Sequence, residues 1–314
     1  MKKERRTRWF FVTFVVALSV LALAASGCGD KGGNGGRPTV YTDDLGRKVT
    51  VAKVPERIVS AAPANTEILF ALGLADRVVG VTTYCDYPPA AKKKPKIGEF
   101  SKLNVEAIVA AKPDLVLATG GVQKEVLDKL DDLAITVYAV DASTFDDTVS
   151  NIKKIGTMTG TGDKADDIAS DMENRAEKVR GAADRARTEG EAKPRVFYEI
   201  FYEETGVWTA GQKGIISDLV KLSGGTNIGD LEESDYYQFN LETLFRENPD
   251  VYLVGSGAMS KPGDVAARPG WANLKAVGEG RVYVINEDLI YRTGPRLIDG
   301  LEKVFEDLYP GSEV

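Results

Sequence analysis

The chain has 314 residues, 43% of them hydrophobic and 28% charged, enough to bury a real core and long enough for about two domains. Its formal charge of −7 excludes a general nucleic-acid binder, because that function needs a basic face. Histidine is absent, which removes the commonest general base and the commonest zinc ligand.

Residues 1–27 read as a signal peptide. MKKERRTR is a positive n-region, and WFFVTFVVALSVLALAA is an uncharged apolar run of 17 residues. A permanent membrane anchor is the alternative, since the run sits at the short edge of spanning length. ASGC closes the segment on Cys28. Small residues ending in cysteine resemble a bacterial lipobox, although Ala25 stands where that pattern prefers leucine. The resemblance implies cleavage before Cys28 and acylation of its thiol. Residues 28–37, with GDKGGNGGR, form a flexible tether of about 15–18 Å r.m.s. reach. The chain without residues 1–27 keeps 35 basic and 46 acidic residues, a net −11. Cys85 is the only other cysteine, so no intramolecular disulfide forms once Cys28 is acylated.

TVYTDDLGRKVTVA (39–52) predicts a β-hairpin around an Asp-Leu-Gly turn. RIVSAA is a short buried strand, and Asn65, behind Pro63, opens a helix through TEILFAL that stops at Gly73. RVVGVTT is a strand, VEAIVAA a helical turn stopped before Pro113, DLVLA a strand, VQKEVLDKL a helix and ITVYAV a strand. Short apolar runs alternating with helical stretches argue for parallel βα units over 38–162. After a helix at about 146–158, residues 163–189 form a long charged helix with one narrow apolar stripe: Ile168, Met172, Ala176, Val179 and Ala183. Its 27 residues would span about 40 Å, which suits a strut between two lobes. Over 190–314 the βα order resumes: RVFYEIFY as a strand, GIISDLVKLSGG and LETLFREN as helices, DVYLVG and GRVYVI as strands, and PRLIDGLEKVFEDLY as a terminal helix. The expected fold is α/β, two Rossmann-like lobes joined by a long bridging helix, with the ligand cleft between them.

Some fragments imitate nucleotide sites. KLSGGT resembles an ATPase signature, and GVWTAGQK lacks the Gly-Lys-Ser/Thr order of a phosphate loop. GTGDKA fits a loose dinucleotide pattern but does not follow a strand, and reads as a loop. Without histidine a serine triad has no base. A carboxylate-dependent surface enzyme stays open as an alternative, since glycosidase chemistry needs only two converging acids.

One phrase occurs twice. NVEAIVAAKPDLVLATG returns as NLETLFRENPDVYLVGSG, so that Asn104, Glu106, Pro113 and Asp114 recur as Asn240, Glu242, Pro249 and Asp250 at identical spacing. A glutamate near a helix start complements the helix dipole, worth about 0.3–1 kcal/mol, and alone needs no further account. Recurrence at one register on opposite lobes points to a partner with two-fold symmetry.

PERIVSAAPANTEILFALGL, GVTTYCDYPPAAKKKPKIGEF, NVEAIVAAKPDLVLA and PGWANLKAVGEGRVYVI together resemble the substrate-binding proteins of ABC importers for cobalamin and ferric siderophores. The resemblance covers about 38–314, and PANTE with YxDYPP looks most like the cobalamin-binding kind. It implies two α/β lobes bridged by a long helix and no enzymatic activity. It also implies a transported ligand, cobalamin or another metal chelate, in place of a cofactor or resident metal. The implied partners are an ABC permease dimer with its ATPase, reached from the extracytoplasmic side by a lipid-anchored protein. Glu106 and Glu242 fall on the family's permease-docking positions, which face arginines. Tyr84, Phe100, Trp208 and Tyr236 match aromatic positions of the cobalamin cleft, and Asp288 and Arg292 match polar ones. Phe100 and Tyr236 stand where the cobalamin-binding kind has tryptophan, which leaves another corrinoid, haem or a siderophore open. An anionic siderophore would favour several convergent arginines, of which only Arg292 is in place. Trp271 reads as packing, and Cys85 as a small buried residue.

Overall fold

The computed structural model describes residues 38–187, 190–258 and 260–314. The expected signal peptide, Cys28 and the tether, with the last two residues expected in the strut, lie outside the described residues.

The chain opens on an antiparallel hairpin, β1 (Thr39–Thr42) with β2 (Lys48–Val51). Its turn needs Gly46 at φ +76°, a left-handed conformation that costs glycine little. The Asp43 carboxylate accepts from the backbone N–H of Leu45 and Arg47, which fixes the turn. Then come β3 (Ile58–Ser60), α1 (Pro63–Ala71), β4 (Val78–Val81), α2 (Val105–Ala110), β5 (Leu115–Ala118), α3 (Lys124–Asp132), β6 (Val137–Ala139) and α4 (Phe145–Thr159). The four strands after the hairpin pair in parallel in the order β4-β3-β5-β6. Their continuous apolar runs match a sheet covered on both faces.

The long helix α5 (Gly162–Ala186) separates this lobe from the second. The second lobe runs β7 (Arg195–Glu199), β8 (Phe201–Glu203), β9 (Gly206–Ala210), α6 (Ile215–Leu222), β10 (Thr226–Asn227), β11 (Tyr236–Phe239), α7 (Leu241–Glu247) and β12 (Val251–Gly255). It ends with α8 (Pro262–Ala267), α9 (Lys275–Gly278), β13 (Val282–Ile285), α10 (Asp288–Tyr291) and α11 (Leu297–Leu308). Its parallel sheet has the order β10-β7-β12-β13, so both lobes place their strands second, first, third, fourth. The second lobe adds an antiparallel sheet, β11-β9-β8. Sequence reading joined β7 and β8 into one strand. The chain leaves the parallel sheet at Ile200, whose N–H donates instead to the Trp208 carbonyl at 2.8 Å.

The repeated phrase does the same local work twice. Asn104 caps α2 by accepting from the Ala107 N–H at 3.0 Å, and Asn240 caps α7 by accepting from Thr243 at 3.2 Å. Lys112 and Asn248, each just before the repeated proline, both sit at positive φ, 46° and 43°. Asp114 accepts from the N–H of Arg57 at 2.9 Å, and Asp250 from that of Arg195 at 2.8 Å, each pinning the entry to its lobe's central strand. Glu106 and Glu242 occupy the second position of their helices, exposed, with no ion pair among the described residues. The repeated asparagine and aspartate therefore each make hydrogen bonds inside their lobe, whereas the glutamates make none there and only complement the dipoles of their helices.

Helix α5 spans about 37 Å. Its buried face is Ala165, Ala169, Met172, Ala176, Val179, Ala182 and Ala183, so the expected stripe holds apart from Ile168, which is half-buried. Lys153 of α4 pairs with Glu173 at 2.7 Å, and Arg175 pairs with Asp299 and Glu302 of α11 at 2.7 and 2.6 Å, tying α5 to both lobes. One core cluster runs from Ile58 and Leu115 through Met172 and Val179 to Val196 and Leu301, and two smaller clusters fill the outer sides of the lobes. Two boundaries differ from expectation. Helix α1 begins at Pro63, whose missing N–H is no loss in a first turn, and not at Asn65. GTGDKA is not a loop throughout, because α5 starts within it at Gly162.

Candidate functional site

A cavity of about 650 Å³ lies between the lobes, within the usual range for small-molecule sites. Its walls come from segments just past the carboxyl ends of parallel strands: Ala62–Asn65 after β3, Tyr84 after β4, Thr119 after β5, Asp141–Ser143 after β6, and Glu287–Thr293 after β13. Open α/β sheets bind ligands at that end. Lys213–Ile215 and Asp235–Tyr236 close the cavity from the second lobe.

Buried polar groups hold the walls in place. Gln123 donates from Nε2 to the carbonyls of Ala61 and Phe100, both at 2.8 Å, which fastens the Phe100 loop to the end of β3. Asn65 donates to the Ala118 carbonyl at 3.3 Å, joining α1 to β5. Tyr84 sits within a turn in which Thr82 and Cys85 meet side chain to side chain at 3.1 Å. Cys85 is buried below that turn, as expected.

The structure brings Tyr84, Phe100, Tyr236, Asp288 and Arg292 to the cavity. Tyr84 is 58% exposed and Tyr236 45%, so both offer flat faces to solvent. Trp208 does not line the cavity. It stacks on Phe201 with ring centroids 5.5 Å apart. It shares a sheet face with Tyr236, because Tyr236 pairs with Ala210 and Gln238 with Trp208, but it lies two residues farther along the strand. Trp271 is buried packing, its ring covered by the Arg268 guanidinium at 4.4 Å.

Sequence reading missed Tyr291, which lines the cavity with its ring 6.2 Å from that of Tyr236. It also missed an ionic clasp across the cleft. Arg292 donates from Nη1 to Glu67 at 3.1 Å and to Asp86 at 2.7 Å, and pairs through Nη2 with Asp288 at 2.7 Å. Arg296 grips the same Glu67 with Nε at 2.8 Å and Nη2 at 2.6 Å, and its guanidinium lies 3.7 Å from the centroid of Tyr87. One signal was available: Glu67 is the only charged residue of α1, and a buried carboxylate needs partners.

Burial opposes the charge on Asp86, but the hydrogen bond and charge of Arg292, with Lys92 nearby, hold its pKa below the usual value. Across the cavity the trend reverses. Burial, with repulsion from Asp44 and Asp235, raises Asp141 against the hydrogen bond from Thr119. Burial also raises Tyr236, assisted by Asp235 and Asp141, and raises Tyr291, assisted by Tyr198, so both phenols stay neutral at pH 7. The lining carries Asp141, Asp235, Glu287 and Asp288 against Lys213 and Arg292, a net negative wall. The paired glutamates Glu106 and Glu242 are not in it, so they are not converging acids of a hydrolytic site.

Residues 58–289 match the periplasmic binding protein family. The chain belongs to that family. It is a solute-binding protein and not an enzyme. The binding protein is 34% identical to an uncharacterized ABC transporter substrate-binding lipoprotein, YvrC, of Bacillus subtilis, over 87% of this chain and 86% of that one. The crystal structure of the periplasmic vitamin B12-binding protein BtuF of Vibrio cholerae matches with a TM-score of 0.69 and 30% identity, covering 81% of this chain and 97% of that one. The periplasmic haem-binding protein RhuT of Roseiflexus sp. RS-1 matches with a TM-score of 0.70 and 25% identity, over 81% and 98%. Among the described residues of the binding protein, no helix is long and apolar enough to cross a membrane, and no group of acidic or cysteine side chains is placed to hold a metal ion.

Proposed function

We propose that this binding protein captures cobalamin or a related corrinoid outside the cytoplasm and delivers it to an ABC permease dimer driven by its ATPase. Tyr84, Phe100, Tyr236, Asp288 and Arg292 form the ligand site, with Trp208 at its outer rim. Glu106 and Glu242 dock one on each permease subunit. An acyl group on Cys28 holds the protein at the membrane, with residues 28–37 as tether, lobes at 38–162 and 190–314, and the strut at 163–189 between them.

The observation that carries this reading is an aromatic cleft whose single lining arginine is already engaged by three carboxylates. A corrin is a broad, mostly apolar disc with amides at its rim, which suits flat neutral aromatic walls and a few polar groups. A ferric siderophore with anionic groups, or a haem with its carboxylates, would meet a net negative wall and no unpaired arginine. The relatives named for vitamin B12 support the same choice, and the haem-binding neighbour keeps haem as the second reading.

Titration of the mature protein with cobalamin, haem and ferric siderophores, followed by tyrosine and tryptophan quenching, tests the reading. Cobalamin is expected to give saturable one-to-one binding. Saturation by haem or a siderophore with no response to cobalamin refutes it.

A further inference from the structure

We propose that Glu67 is a specificity-determining residue, which keeps the cleft closed to anionic ligands by holding Arg292 and Arg296. The inference rests on reading the cleft as the ligand site. The clasp contains two guanidinium groups and three carboxylates, Glu67, Asp86 and Asp288, so it is net negative although it contributes an arginine to the cavity wall. A carboxylate on a ligand could engage Arg292 only by displacing one of its partners.

The three partners differ in how easily they yield. The side chains of Asp86 and Asp288 are 46% and 38% exposed, and each can rotate into water. That of Glu67 is 2% exposed, inside a helix packed on the sheet, and has no solvent to turn to. Glu67 also holds Arg296 through two nitrogens while Tyr87 covers that guanidinium, so the second arginine cannot swing into the cavity. A bidentate pair of this kind is geometrically fixed as well as strong. Glu67 thus acts through Arg292 and selects ligands whose rim carries amides.

The test compares two corrinoids with one ring and different rims. Dicyanocobinamide carries amides, and dicyanocobyrinic acid carries carboxylates at the same positions. The wild-type mature protein is expected to prefer the amide. Glu67→Gln keeps a hydrogen-bonding side chain and removes one negative charge, and should raise affinity for the acid about tenfold at low salt. The gain should fade in about 0.5 M salt, while the amide changes by less than about twofold. Adding Arg292→Gln to Glu67→Gln should abolish the gain. A folded Glu67→Gln protein that changes neither affinity, or changes both equally, overturns the proposal. If Glu67→Gln does not fold, Asp86→Asn, at an exposed position, takes its place, with a smaller gain expected and no gain overturning the proposal. Failure of the wild type to bind cobinamide sinks the corrinoid reading alone. The filter is then judged by the same criterion with haem and haem dimethyl ester.

Discussion

Glu67→Ala measures how strongly the clasp holds the lobes. The substitution deletes three hydrogen bonds, from Arg292 Nη1 at 3.1 Å and from Arg296 Nε and Nη2 at 2.8 and 2.6 Å. Arg292 keeps Asp86 and Asp288, but Arg296 is left with the face of Tyr87 while its side chain stays 18% exposed. Removing one partner of a buried ion pair costs about 3–5 kcal/mol. Residual solvent access and the aromatic face reduce this to about 2–4 kcal/mol. For a chain of this size each kcal/mol lowers Tm by about 2–4 °C, so a drop of about 4–16 °C is expected by calorimetry of the mature protein. Arg296→Ala alone leaves Glu67 with Arg292 and should cost less. The double variant should recover part of the loss, since no unpaired arginine remains. A Glu67→Ala protein within about 1 °C of wild type refutes the reasoning, and would mean that water already screens the pair.

Four further outcomes are expected. Replacing both Glu106 and Glu242 by alanine should leave ligand affinity unchanged and abolish uptake, because one side of a desolvated charge pair is worth about 2–5 kcal/mol, and a single lysine should impair uptake more than a single alanine at either position. Loss of ligand binding in that folded double variant would place the glutamates in the binding machinery instead. Cys28→Ala should release an unacylated protein, whereas normal protein found unacylated with residues 1–27 retained would make the apolar run a membrane span. Gly156→Ala should cost about 1–3 kcal/mol in urea denaturation, since its new Cβ would fall 2.2 Å from the Cβ of Ala165 where α4 meets α5; unchanged stability would show that this helix pair shifts freely. Asp86 has its folded pKa below the unfolded value, so its contribution is complete above about pH 4 and is lost as pH falls through the folded value; Asp86→Asn should flatten acid unfolding in that window, and an unchanged profile would contradict the pairing with Arg292.

What was legible in the sequence follows from the range of each interaction. Strands such as Leu115–Ala118 and helices such as Phe145–Thr159 are short-range patterns, apolar runs and capped amphipathic stretches. The repeated phrase was legible because duplication writes one local motif twice. The clasp was not, because Glu67 meets Arg292 and Arg296 across separations of 225 and 229 residues, and only the fold decides which charges share a rim. Trp208 shows the same limit at short range. The family resemblance pointed to it, and β9 does put it on the sheet face of Tyr236, but how far the cavity extends along that face depends on segments from the other lobe.

The architecture explains why selectivity would reside in side chains at the rim. A protein that discriminates by closing its lobes needs a hinge, and here the connection is a 25-residue helix whose apolar face belongs to a core shared by both lobes. Bending it would break backbone hydrogen bonds and expose part of that core, and Arg175 with its two acidic partners resists sliding along α11. Across the cleft, the Phe145 N–H at the start of α4 donates to Asp218 of α6 at 2.8 Å, a further cross-link that opening would break. The cleft is therefore largely preformed. Scattering profiles with and without ligand should differ only slightly, and a wholesale closure would refute the strut. In a preformed cleft, ligands are distinguished by which groups are already paired before they arrive. That is the state in which Glu67 holds its arginines.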